Sequence, residues 1–131
     1  MHKGFVTAGA LFGGLAVALG AFGAHGLKSI VEPETVQIFQ TGVHYQVYHS
    51  LALLMTGLLY EKCSPKLVRV AGILYIIGII LFSGSLYMVT AGKAAEMSSL
   101  DKFGIITPFG GVSFIAGWLL LFVAAMKGSK N

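Results

Sequence analysis

Apolar residues are concentrated in four stretches of the chain, separated by short polar connections. The first stretch, 4–24, contains no charged residue. A helix of about 20 apolar residues spans the hydrocarbon core of a bilayer, so this stretch is long enough to cross a membrane. Two further stretches, 68–90 and 106–126, predict two more spans. The pattern therefore predicts an all-α integral membrane protein.

The remaining stretch is apolar only in its second half, which ends at Tyr60 before the charged pair Glu61 and Lys62. Counting back about 20 residues from Tyr60 reaches Thr41, which predicts a span over 41–60. The count places four polar or aromatic side chains inside the bilayer: His44, Tyr45, Gln46 and His49. We therefore expect hydrophilic groups within the membrane, and His49 roughly 10–12 Å below its outer edge.

Residues 33–40, which precede this span, also have a helical pattern. Proline suits the first turn of a helix and an acidic residue suits its positive dipole end, so Pro33 and Glu34 predict a helix start. We predict a four-helix bundle with a short interfacial helix over 33–40, between spans 1 and 2. The sequence leaves open whether that helix continues into span 2.

The composition supports the membrane class. Of 131 residues, 56% are hydrophobic and only 11% are charged, whereas a soluble domain carries about 25% charged residues. We predict one transmembrane domain over residues 1–131. The net charge of +4 comes from basic residues that occur singly in loops and near the termini, so no nucleic-acid partner is predicted.

The distribution of basic residues predicts the orientation. Six lie on one side of the predicted spans: Lys3, Lys62, Lys66, Arg69, Lys127 and Lys130. Three lie on the other side: Lys28, Lys93 and Lys102. We therefore predict a multi-pass protein of the cell (plasma) membrane with both termini in the cytoplasm.

Polar side chains from every span fall in the outer half of this arrangement. They form the candidate ligand-binding site: His25, His44, Tyr45, Gln46, His49, Ser83, Ser85, Tyr87 and Thr107. Thr107, followed by Pro108, is also predicted to be the N-cap of the last helix. Polar groups within a membrane usually face the bundle interior or a cavity, so we expect these side chains to lie close together.

Three hypotheses account for this polar cluster. The first is a structural or accessory bundle in which the cluster joins helices by hydrogen bonds. The second is binding or transport of a small molecule, a lipid headgroup or a proton, centred on His49, since histidine titrates near neutral pH. The third is haem or metal binding through His25, His44 and His49. Because His44 and His49 are about 140° apart around a helix, one face cannot present both, and no cofactor is predicted.

Enzyme chemistry has less support. The five acidic residues lie in loops or at a helix start: Glu32, Glu34, Glu61, Glu96 and Asp101. The polar cluster therefore has no carboxylate with which to form a Ser-His-Asp set. We predict no catalytic residues.

Small residues form stripes on two predicted helices. One consists of Gly9, Gly13, Ala16 and Gly20, and the other of Gly110, Ser113 and Gly117. Such stripes allow close approach of a neighbouring helix. Besides membrane lipid, we predict a homo-oligomeric partner through these stripes; packing within the chain is the alternative.

Four sequence blocks resemble a known family. They are Leu19-Gly-Ala-Phe-Gly-Ala-His-Gly-Leu27, Phe39-Gln-Thr-Gly-Val-His-Tyr-Gln-Val-Tyr-His-Ser-Leu-Ala-Leu-Leu54, Leu81-Phe-Ser-Gly-Ser-Leu-Tyr87 and Ile106-Thr-Pro-Phe-Gly-Gly111. Together they are similar to the YgdD/YwdK family of small bacterial inner-membrane proteins of unknown function, which has eukaryotic transmembrane relatives. The resemblance covers nearly the whole chain. It implies four spans and no particular activity.

Overall fold

The computed structural model describes residues 1–129, which contain helices and connecting turns and no β-strand. Four long helices occur in this part of the chain: α1 (Lys3–Ala24), α2 (Pro33–Leu59), α3 (Pro65–Ala94) and α4 (Thr107–Lys127). The prediction of an all-α chain is thus confirmed. Lys130, one of the basic residues from which the orientation was predicted, lies outside the described residues.

Within residues 1–129, three helical segments are long and apolar enough to cross a membrane: Lys3–Ser29, Pro65–Ala94 and Ser98–Lys127. They contain the whole of the predicted spans 4–24, 68–90 and 106–126. The helix α2 is not among them, because the polar residues between His44 and His49 lower its mean hydropathy. Its position in the membrane is therefore not settled by length and composition.

The segment 33–40 is not a separate interfacial helix, which corrects that part of the predicted fold. Residues 33–40 form the first two turns of α2, which runs unbroken for 27 residues, or about 40 Å. The only helical turn between α1 and α2 is Leu27–Ser29. Gly42 does not interrupt α2. A Cβ there would lie 3.0 Å from the Tyr87 ring, so glycine allows α2 to approach α3 closely.

The helix α3 changes its geometry near its middle. It is α-helical over Pro65–Gly78, π-helical over Ile79–Ser83 and α-helical again over Gly84–Ala94. At this point α4 crosses α3 at short distance. A Cβ on Gly110 would lie only 2.7 Å from the Cβ of Phe82, so the close approach requires glycine. Single π-helical turns inside α-helices often occur at functional sites. This one lies beside the candidate site.

Both small-residue stripes face other helices of the same chain. In α1, a Cβ on Gly9 would lie 2.8 Å from the Ser50 carbonyl oxygen of α2. In α4, Ser113 donates a hydrogen bond to the Leu74 carbonyl of α3 over 2.7 Å. The stripes therefore serve packing within the chain, the alternative that the sequence left open. No second copy is required to explain their spacing.

All four helices contribute to one buried apolar cluster: Phe5, Ala52, Leu53, Ala71, Tyr75, Ile79 and Phe114. A second cluster, toward the other end of α1 and α2, consists of Ala16, Leu27, Val36, Phe39 and Val43. Four polar residues of the candidate site are buried among these helices: Gln46, His49, Ser83 and Ser85. Their hydrogen-bond partners must therefore come from the helices themselves.

Candidate functional site

Gln46 joins three helices. Its side chain is 3% exposed, and its Nε2 donates to the Phe12 carbonyl of α1 over 2.8 Å. Its Oε1 accepts a hydrogen bond from the Tyr87 hydroxyl of α3 over 2.7 Å. Both ends of the amide therefore have partners on neighbouring helices. Within residues 1–129, Gln46 is the one side chain of the predicted site that forms hydrogen bonds to two other helices.

The serines and Thr107 make similar but smaller links. Ser83 is fully buried and donates to the Gly42 carbonyl of α2 over 2.6 Å. Ser85 contacts the Thr107 hydroxyl of α4 and also donates to the Phe82 carbonyl of its own helix. Thr107 is the first residue of α4 and has this partner instead of capping the helix, so the predicted N-cap role is wrong.

The side chain of His49 extends from α2 toward α4, and both of its ring nitrogens form hydrogen bonds. Its Nδ1 is 2.7 Å from the Tyr45 carbonyl, and its Nε2 is 3.0 Å from Nε1 of Trp118. Its ring also stacks on Phe114 with centroids 3.5 Å apart and an interplanar angle of 7°. The imidazole is therefore held by two hydrogen bonds and one stacked ring.

These two hydrogen bonds determine the tautomer of His49. An indole N–H can only donate and a carbonyl can only accept. The Nε2 atom must therefore carry the lone pair that accepts from Trp118, and Nδ1 must carry the hydrogen that it donates to Tyr45. The imidazole is neutral in this arrangement. Neither nitrogen can take up a proton or a metal ion unless one of the bonds breaks.

The structure separates the three histidines that the metal hypothesis requires. His25 is exposed at the end of α1, and His44 is exposed on the outward face of α2, whereas His49 is buried. Within residues 1–129, no three His, Cys, Asp or Glu side chains are placed to hold a metal ion. The geometry therefore gives no support to haem or metal binding through these residues.

Tyr45 lines a groove between α2 and α4 that opens to the surface. The groove has a volume of about 520 Å³, and Tyr48, His49 and Trp118 form part of its wall. The Tyr45 ring lies 4.6 Å from the ring of Phe82, measured between centroids. The groove is thus lined mainly by aromatic side chains, among them two tyrosines beside the hydrogen-bonded imidazole.

The prediction from sequence omitted two residues of this site, Trp118 and Phe114. A depth count could have identified Trp118, because it lies about 13 Å from the end of α4 and His49 about 15 Å from the end of α2. Side chains at the same depth on neighbouring helices are candidates for contact.

Comparisons with known proteins identify relatives along nearly the whole chain. The profile of a family described as a protein of unknown function (DUF423) matches residues 19–111. The UPF0382 membrane protein YwdK of Bacillus subtilis is 44% identical over 126 residues, covering 95% of this chain and 98% of the relative. A UPF0382 membrane protein of Haemophilus influenzae is 39% identical over 130 residues, covering 99% of both chains. The UPF0382 inner membrane protein YgdD of Escherichia coli is 37% identical over 118 residues, covering 90% of this chain and 86% of the relative. No solved structure matches the chain.

Proposed function

Because the chain belongs to the DUF423 family of UPF0382 membrane proteins, whose function is unknown, we propose that it is a four-span structural or accessory bundle of the plasma membrane. Within residues 1–129, three segments are long and apolar enough to cross a membrane. The proposal adds α2 as the fourth span. It also assigns the polar cluster to holding the helices together.

The contacts of α2 support its role as a span. About 20 of its 27 residues suffice to cross the hydrocarbon core. A polar group in that core is tolerated when it is hydrogen-bonded within the protein. Gln46, His49 and Ser50 are all buried and all hydrogen-bonded. The low hydropathy of α2 is therefore compatible with a membrane position.

The Gln46 amide is the observation that carries the structural role. One side chain links α2 to both α1 and α3. An amide that binds a ligand would keep one end free for it, and both ends of this amide are hydrogen-bonded. In the described part of the chain, the Tyr75 hydroxyl is the one buried side-chain polar atom without a hydrogen-bond partner. Polar groups that satisfy one another stabilise a bundle and leave few atoms available for a transported ion.

The proposed orientation places both termini in the cytoplasm. Among the described residues, Lys3, the connection 60–64 and Lys127 lie at one end of the bundle, and Lys28 and Lys93 lie at the other. Labelling of single cysteines introduced at Ser29 and Ser129 tests this orientation, in a background with Cys63→Ala. A membrane-impermeant thiol reagent added to intact cells is expected to label position 29 only. Labelling of position 129 would contradict the orientation.

A flux measurement distinguishes the structural role from proton transport. Vesicles loaded with a pH-sensitive dye are prepared with the purified chain, with its His49→Ala variant, and without protein. The structural role predicts the same rate of proton leak in all three after a pH jump. A faster leak that requires His49 would contradict the structural role and favour the transport hypothesis.

The groove between α2 and α4 favours a second candidate function, the binding of a lipid-soluble molecule with a flat ring. The parallel rings of His49 and Phe114 already form a stack next to the groove, and a flat ring can extend such a stack. The hydroxyls of Tyr45 and Tyr48 can bind a carbonyl or hydroxyl group on that ring.

Trp118 is the only tryptophan of the chain and lies in the groove wall, so its fluorescence reports occupancy. A short-chain benzoquinone is a suitable probe in detergent micelles. Saturable quenching that Tyr45→Leu weakens would support the binding function. Quenching that rises linearly with probe concentration, as collisions produce, would contradict it.

A further inference from the structure

The outward face of α2 has a regular stripe of residues that are exposed within residues 1–129. Its members are Gln37, Thr41, His44, Tyr48, Leu51, Met55 and Leu58. Their spacing of four, three, four, three, four and three is the heptad spacing by which one helix contacts another. The stripe extends over about 32 Å of helix. We call it the outer stripe of α2.

The outer half of this stripe is polar. His44, Tyr48 and Gln37 have no side-chain hydrogen bond within residues 1–129, while Thr41 donates to the Gln37 carbonyl of its own helix. His44 lies about 22 Å from the inner end of α2, which is inside the hydrocarbon core if α2 crosses the membrane. Lipid chains cannot form hydrogen bonds with an imidazole or a phenol, so His44 and Tyr48 would need a protein partner at this depth.

We propose that a second copy of this chain covers the outer stripe of α2. Copies inserted in the same membrane have the same orientation, so two α2 helices related by a two-fold axis are parallel and bring equal residues to equal depth. A neutral imidazole has one donor and one acceptor, and a phenol has both functions in its hydroxyl. His44 and Tyr48 can therefore bond to their own counterparts, whereas Leu51 and Met55 pack against theirs.

This inference rests on the proposed membrane crossing of α2 and differs from the predicted contact through small residues. The glycine stripes are occupied by contacts within the chain, as Gly9 against Ser50 illustrates. The residues of the outer stripe of α2, in contrast, are all exposed within residues 1–129. More than half of the Tyr48 and Leu51 surfaces is exposed, 55% and 57% respectively.

Disulfide cross-linking in native membranes tests the proposal. Single cysteines replace His44, Tyr48 or Leu51 in the Cys63→Ala background, and matched controls replace Ile80 on α3 or Val112 on α4. His44, Ile80 and Val112 each lie about 22 Å from the inner end of their helix, and all three are exposed. Oxidation is expected to give covalent dimers at the α2 positions and at neither control position.

The other outcomes of the cross-linking experiment would each contradict the proposed dimer. Cysteines at 44 and 48 that neither cross-link nor react with an aqueous thiol reagent would overturn the dimer and leave the α2 span intact. Reaction of both positions with that reagent would overturn the span and the dimer together. Equal cross-linking at the control positions would indicate random collision and would also overturn the dimer.

The role of the imidazole is tested in the Leu51→Cys chain, which retains His44. His44→Leu is expected to lower the cross-linked fraction at position 51 by about threefold, the factor for one interhelical hydrogen bond of average strength. His25→Leu, a matched exposed histidine at the end of α1, is expected to have no effect. Equal effects of the two substitutions would contradict a specific contribution of His44.

Discussion

The two faces of α2 carry the same kinds of side chain in opposite circumstances. On the buried face, Gln46 and His49 each bond to another helix, and Ser50 bonds to the Gln46 carbonyl of its own helix. On the exposed face, His44 and Tyr48 have no side-chain hydrogen bond within residues 1–129. Residue type and position along α2 are thus similar, and the direction of the side chain differs.

This difference separates two roles for polar residues in the same helix. A polar group that is bonded within the chain stabilises the monomer, at about 0.6 kcal/mol on average for a contact between membrane helices. A polar group at the same depth without a partner destabilises the monomer in lipid and favours association. Substitutions on the buried face should therefore change monomer stability. Those on the exposed face should change self-association.

The largest expected effect is at Gly9, where the backbone of α1 lies against the buried face of α2. Gly9→Ala would place a Cβ 2.8 Å from the Ser50 carbonyl oxygen, so the helices must separate. We expect a loss of about 1–3 kcal/mol in the free energy of unfolding, the usual range for overpacking. Denaturation in mixed detergent micelles measures it. The control is Gly14→Ala in the same helix, which meets no atom within 4 Å; an equal loss there would contradict the assignment.

The next effect is that of Gln46→Leu. The substitution removes both interhelical hydrogen bonds of the amide and leaves the Tyr87 hydroxyl without its partner, so we expect a loss of about 1–2 kcal/mol. The same denaturation measurement applies. Gln37→Leu on the exposed face is the matched control, and its monomer stability should be unchanged. If Gln37→Leu were as destabilising, the two faces would not differ as described.

The buried face could be partly predicted from the sequence. Counting back from Tyr60 predicted that Gln46 and His49 lie at bilayer depth, which stays a prediction, whereas the spacing of His44 and His49 correctly indicated different faces. A helical period does not tell which face is inside, because that depends on the partner helices. For this reason the predicted site included His44 and His25, which the structure leaves exposed.

Other features depend on tertiary fit and had no local signal. The π-helical turn Ile79–Ser83 occurs where Gly110 lies against Phe82 and where Ser83 bonds to the Gly42 carbonyl. The sequence of α3 alone is compatible with an ordinary helix throughout. Trp118 was missed for a related reason, since a tryptophan in an apolar helix is equally compatible with lipid contact.

A smaller effect is expected from Trp118→Phe, at the contact between the buried face of α2 and α4. The aromatic ring is retained, but the hydrogen bond to His49 Nε2 is lost. We expect a loss of about 0.6 kcal/mol in the free energy of unfolding. Phe122→Leu, one turn further along α4 and also exposed, should have no measurable effect. A loss of stability in Phe122→Leu but not in Trp118→Phe would show that this hydrogen bond contributes nothing.

The smallest effect is expected in the connection between α2 and α3, where the N-terminal ammonium is 2.7 Å from Oε1 of Glu61. The hydrogen bond to the ammonium, and then its charge, lower the pKa of the Glu61 carboxyl below its usual range. This contribution to stability is present above the ordinary pKa of about 4.3 and is lost as the pH falls through the lowered pKa. Because both groups are exposed to water, which screens the attraction, Glu61→Gln should destabilise the chain less than any substitution on the buried face of α2. Thermal unfolding of both chains at pH 7 and in acid measures the difference, which should disappear at low pH. A difference that persists or grows in acid would indicate that Glu61 acts through another contact.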